Sequence, residues 1–89
     1  MNHREERRNR AIAQFNEVMA LSSISQIQSQ EIGQIREFIE NYEFECAFSL
    51  LTAVIKVSGS ALPNSDLQLL AKLADDQSIP AKSWNGLGH

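Results

Sequence analysis

Ala11, Ile12, Phe15, Val18 and Met19 recur at three- and four-residue steps, with Ser22 continuing the same face, so the first segment forms one apolar stripe on a helix over about residues 2–21. Ser22, Ser23 and Ser25 interrupt that pattern with hydroxyls that compete for backbone hydrogen bonds, which predicts a turn. Ser25, with Gln28 or Ser29, is a candidate cap for the next helix. That second helix is expected over about residues 26–41. Its stripe runs Ile27 or Gln28, Glu31 or Ile32, Ile35, Phe38, Ile39 and Tyr42, with Gln34, Glu37, Glu40 and Asn41 toward the other side. Gly33 inside it costs about 1 kcal/mol relative to alanine and suggests close approach of a neighbouring helix.

From residue 43 to 57 nearly every position is apolar: Phe44, Cys46, Ala47, Phe48, Leu50, Leu51, Val54, Ile55 and Val57. Only a narrow strip of Glu45, Ser49, Thr52 and Lys56 is polar, which predicts the central, most buried helix. The β-branched Val54 to Val57 would also suit a strand, but no partner strand is evident. Ser58, Gly59 and Ser60 end this helix. After Leu62 and Pro63, a fourth helix over about residues 65–76 carries Leu67, Leu69, Leu70, Leu73 and Ala74 on its inner side. Residues 77–89, with Pro80, Gly86 and Gly88, lack periodicity and are expected to form an irregular C-terminal tail that Trp84 and Leu87 pin to the bundle. The expected fold is all-α, a small four-helix bundle in one domain, residues 1–89, with consecutive helices packed as antiparallel hairpins.

Length and composition agree with a folded domain. A chain of 89 residues, 43% apolar and 21% charged, is apolar enough to form a core, although at this size only ~60 to 65% of the unfolded surface is buried. No apolar run reaches the length of a membrane span, and NHREERRNR lacks the apolar region of a secretory signal, so a cytoplasmic protein is expected. The single cysteine, Cys46, lies inside an apolar helical pattern and reads as a small buried thiol without redox or zinc chemistry. Asn2 and Glu5 resemble a capping box, opposed by the arginine excess at that helix end.

Charge is unevenly distributed along a chain of net charge −3. Residues 1–10 carry Arg4, Arg7, Arg8 and Arg10 against Glu5 and Glu6, whereas residues 31–45 carry Glu31, Glu37, Glu40, Glu43 and Glu45 against Arg36 alone. With a pI near 5.2 and a basic surface confined to the N-terminal turns, direct nucleic-acid binding is not expected. The four arginines read as solvated helix charges, the competing reading being an RNA or membrane-surface element.

Catalytic chemistry finds little support in these residues. His3 and His89 lie beside the chain ends, where order is poorest. The pairs Glu37 and Glu40, Glu40 and Glu43, and Asp75 and Asp76 fit solvated helix faces. Metal-ligand spacings, glycine-rich phosphate loops and nucleophile elbows are absent, so neither cofactor nor metal is expected and the chain reads as a non-enzyme. The acidic helix corner is the remaining candidate. There Tyr42 and Phe44 alternate with Glu40, Glu43 and Glu45, as aromatic anchors alternate with polar groups in protein interfaces. The competing account makes both rings core residues and assigns Glu43 and Glu45 to the dipole of the following helix.

The segment Ile39-Glu40-Asn41-Tyr42-Glu43-Phe44-Glu45-Cys46-Ala47-Phe48 resembles the helix-corner-helix of small immunity proteins from bacterial contact-dependent growth inhibition and Maf polymorphic-toxin systems. Ile39, Glu40, Glu43, Phe44, Ala47 and Phe48 fit the family phrase of hydrophobic, acid, polar, Gly, Glu, aromatic, x, hydrophobic, Ala, hydrophobic. A weaker similarity covers residues 30–76, through Arg36-Glu37-Phe38-Ile39 and the Leu62-Pro63 that opens a final helix with paired leucines. Tyr42 departs from the family's glycine, so the left-handed residue of the turn is expected elsewhere, at Asn41. The resemblance implies an inhibitor of one cognate protein toxin with a basic nuclease domain. Glu37, Glu40, Glu43 and Glu45 would supply charge, Tyr42 the anchor, and Asp66, Asp75 and Asp76 a second edge. The alternative is a helical adaptor or regulatory subunit that binds its partner through an apolar groove.

Overall fold

A computed structural model describes residues 3–59 and 62–79. The readings placed on Asn2, Ser60, Trp84, Leu87, His89 and the tail beyond Ile79 lie outside the described residues. Within them the protein is all-α, with helices α1 (His3–Met19), α2 (Ser22–Ser25), α3 (Glu31–Glu40), α4 (Phe44–Ser58) and α5 (Asn64–Asp76). No helix of the described residues is long and apolar enough to cross a membrane.

Along α1 the apolar stripe is buried as the spacing requires, through Ala11, Phe15, Val18 and Met19. Where the serines predict only a turn, the chain makes the single-turn helix α2. The amides of Ile24 and Ser25 donate to the Leu21 carbonyl at 3.0 and 2.7 Å. Ile24, fully buried among serines, anchors that turn in the core. The second long helix accordingly begins at Glu31 rather than near residue 26; over 26–30 exposed Gln26, Gln28 and Gln30 alternate with partly buried Ile27 and Ser29, a period of two and not of a helix. At its start the Ser29 hydroxyl accepts the Glu31 amide at 3.3 Å and donates to the Glu31 carboxylate. Both bonds fasten the first turn.

Helices α3 and α4 form the most extensive helix pair, while α1 packs on α5 and also meets α2 and α3. Ile35 and Ile39 join Ala47, Phe48, Leu51 and Ile55 in one core cluster with Phe15, Leu70 and Leu73. Burying each such large side chain stabilises the fold by about 1.5–3 kcal/mol before the entropy of ordering is charged against it. Two expectations for α4 are corrected. Cys46 is exposed, not a buried thiol, and Thr52 belongs to the buried face instead of the polar strip. On the helical wheel Thr52 shares the arc of Phe48 and Ile55, whereas Cys46, Ala53 and Val57 fall on the opposite arc. The Thr52 hydroxyl donates to the Ser49 carbonyl at 2.9 Å, so its burial leaves no donor unmet.

Gly59, at φ 72°, ends α4 in the left-handed conformation that glycine adopts without a Cβ penalty. Gly33 makes no close helix approach: it is exposed, and a Cβ there would meet nothing within 4 Å. Leu62 and Ile79, both buried, bracket α5 and hold its ends against the core.

Candidate docking corner and the adjoining arginine cleft

The corner between α3 and α4 is closed by a paired capping arrangement. The Glu43 amide donates to the Phe38 carbonyl at 2.8 Å and the Tyr42 amide to the Ile39 carbonyl at 3.1 Å, the two bonds of a Schellman motif. The left-handed residue this requires is Tyr42 itself, at φ 62°, and not Asn41. Asn41 stays at φ −92°, its side-chain amide donating to the Glu37 carbonyl at 3.0 Å. The Glu37 carbonyl thus accepts both the backbone and the side-chain amide of Asn41, and the reversal falls one residue later. A left-handed non-glycine residue costs about 1–2 kcal/mol. Opposing that cost are the two capping bonds and the contacts of the Tyr42 ring. The Arg8 guanidinium lies 4.5 Å from its centroid, and Phe44 lies at 6.2 Å, tilted by 60°. Phe44 in turn stacks on the buried Phe15 at 5.6 Å and 19°, which ties the corner to the core of α1.

Around this bend Glu37, Glu40, Glu43 and Glu45 are all exposed, and Tyr42 is 48% exposed. Phe44 is half-buried, so of the two rings Tyr42 is the more exposed. The three aspartates are not brought together as one edge. Asp66, partly buried, accepts the Ser23 hydroxyl at 2.7 Å and fastens the start of α5 to α2. Asp75 and Asp76 sit at the other end of α5, roughly 15 Å away along the helix axis. Asp76 accepts the Gln14 side-chain amide at 2.6 Å. A second Schellman arrangement follows it, with Ser78 at φ 58°, the Ile79 amide bonded to the Ala74 carbonyl at 2.8 Å and the Ser78 amide to the Asp75 carbonyl at 3.1 Å. The first residues of the expected irregular tail are therefore an ordered helix cap.

Between this cap, α1 and the start of α4 lies a cleft of about 480 Å³, lined by Arg7, Arg8, Arg10, Gln14, Phe44 and Asp76 among others. The arginine side chains that the sequence assigns to a solvated helix end form one wall of it. One signal was available. The buried stripe of Ala11 and Phe15, followed back by three- and four-residue steps, passes through Arg7, Arg8 and Arg4, so the face that meets the bundle becomes cationic at its N-terminal end. A smaller depression of about 270 Å³, with Ile12, Arg36, Ile39 and Glu40, lies against the other side of α3. Among the described residues no group of three or more His, Cys, Asp or Glu side chains is placed to hold a metal ion.

Two adjoining regions of opposite charge, an acidic corner and an arginine-lined cleft, meet where Arg8 covers Tyr42. No protein-family model, curated protein or solved structure matches this chain.

Proposed function

We propose that this chain is a non-catalytic, cytoplasmic inhibitor that docks a basic protein partner through the α3/α4 corner. Following the resemblance of residues 39–48, that partner is a cognate toxin with a nuclease domain. The observation that carries the reading is the exposure of Glu37, Glu40, Glu43 and Glu45 around a corner whose capping bonds fix its backbone. The left-handed position falls where the family phrase has glycine, with tyrosine in that place, and not at the expected Asn41. A nuclease cleft is basic because it holds phosphates, and a preformed acidic surface accelerates encounter with it and disfavours wrong partners. Protection against a toxin calls for affinity of about −12 kcal/mol, nanomolar or tighter, which a rigid corner reaches more readily than a loop that must first be ordered.

The apolar-groove alternative has less to stand on. Among the described residues the large apolar side chains left exposed are Tyr42 and Val57, at opposite ends of α4 and about 20 Å apart, too far to share one groove.

A toxin gene beside this chain's own is required, and its absence would count against the proposal; the test takes the nuclease domain that gene encodes and measures association by stopped flow. Substituting Glu40→Lys and Glu43→Lys together lowers the association rate at low salt by about tenfold or more, with the difference closing as salt rises. Low-salt rates equal to the unsubstituted protein's would remove the acidic-corner mechanism.

A further inference from the structure

The cleft beside the corner has a different chemistry from the corner and does not depend on the toxin reading. Arg7, Arg10 and Gln14 follow one another at three- and four-residue steps, so their side chains share one wall, with Arg8 at its edge. Arg7, Arg8, Arg10 and Asp76 line the cleft together, and Phe44, which stacks on Phe15, supplies an apolar wall. Stacking on Tyr42 occupies a face of the Arg8 guanidinium and leaves its in-plane N–H fork for an oxyanion. Because the Asp76 carboxylate can only accept, the Gln14 amide is oriented with its nitrogen toward Asp76. Its Oε1 is buried with no donor among the described residues and, being an acceptor, adds nothing to the attraction of an anion, which rests on the arginines. A volume of about 480 Å³ is within the range of small-molecule sites.

From these features we infer that the cleft binds a small phosphate-bearing anion of about pyrophosphate or nucleotide size. Clustered arginines in a concave site concentrate positive potential on a chain that is otherwise acidic. The neighbouring Glu40, Glu43 and Glu45 repel any backbone that continues beyond the cleft, which favours a compact ligand over a nucleic-acid strand.

Titration of the full chain with sodium pyrophosphate at constant ionic strength, followed by amide NMR, tests this. Saturable shifts confined to residues 7–14, 76–78 and the neighbourhood of Phe44 are expected. Replacing Arg7→Gln and Arg10→Gln together weakens binding about tenfold or more, Asp76→Asn tightens it, and Arg4→Gln, which removes one charge outside the cleft, changes it less than about twofold. Arg4, Arg7 and Arg10 are exposed, so their substitution is expected to leave the fold intact, which the dispersion of the same amide spectra checks. Shifts that rise linearly without saturating, or a loss in Arg4→Gln as large as in the double variant, would overturn the site. A short single-stranded RNA that binds more tightly than pyrophosphate would overturn the small-ligand assignment. The double substitution Glu40→Lys, Glu43→Lys leaves pyrophosphate binding intact or stronger, so failure of the docking reading and failure of this one are separable.

Discussion

The guanidinium of Arg8 lies over the ring of Tyr42, 4.5 Å from its centroid, and so joins the arginine-rich start of α1 to the acidic bend between α3 and α4. Any partner that reached Tyr42 would therefore meet Arg8 as well. Arg8→Ala is expected to cost about 0.5–1 kcal/mol, the range of an exposed cation–π pair, and Arg8→Lys less. Urea denaturation reads the loss. Amide exchange should quicken in the first two turns of α1, and unchanged exchange there would show that the stack does not hold the helix end.

Phe15 is fully buried and bears the Phe44 ring, so it supports both the core and the corner. Phe15→Ala should cost about 3–5 kcal/mol through lost burial and an unfilled cavity. Domains of this size are stable by only about 4–13 kcal/mol, so thermal unfolding followed by circular dichroism should show a midpoint lowered by many degrees or no cooperative transition.

The two glycines of the described helices and their ends respond to alanine with opposite sign. Gly33 has helical surroundings and open space, so Gly33→Ala should stabilise the protein by about 0.5–1 kcal/mol. Gly59, at φ 72°, should lose about 1 kcal/mol on the same change, since a Cβ is strained there. Paired denaturant titrations decide both, and equal shifts in one direction would contradict the backbone assignment.

The Ser29 hydroxyl bond, followed by the bond from its own amide, holds the Glu31 carboxyl below its ordinary value. Because the folded pKa is the lower one, this contribution to stability is present above the unfolded pKa and is lost as pH falls through the folded pKa. Ser29→Ala should return the Glu31 titration toward the usual glutamate range and loosen the first turn of α3. A carbon-detected NMR titration of the side-chain carboxyl measures it, and an unmoved midpoint would show that Ser29 is not the cause.

Cys46 lies on the solvent side of α4, so a water-soluble disulfide reagent should label one thiol per native chain at a rate close to that in denaturant. Protection by orders of magnitude until unfolding would restore the buried-thiol reading.

Periodicity by itself determined the all-α architecture and the four long helices, because an apolar stripe at three- and four-residue steps can be buried only by a helix lying on a core. It also located the acidic corner, since four of the glutamates lie within nine consecutive residues around one helix end. What local pattern left open was decided by packing. Helix α4 is apolar almost all round, so only its neighbours could select the arc of Phe48, Thr52 and Ile55 over that of Cys46 and Val57. Ile24, alone among serines, is a core residue because the α2 turn carries it into the cluster with Phe15 and Leu70, a contact that the local pattern does not encode. Tyr42 took the left-handed position once Asn41 was engaged with the Glu37 carbonyl. The arginine cleft exists only because α1 brings its N-terminal face against the far end of α5 and the start of α4, a juxtaposition of residues more than thirty positions apart that no local periodicity encodes.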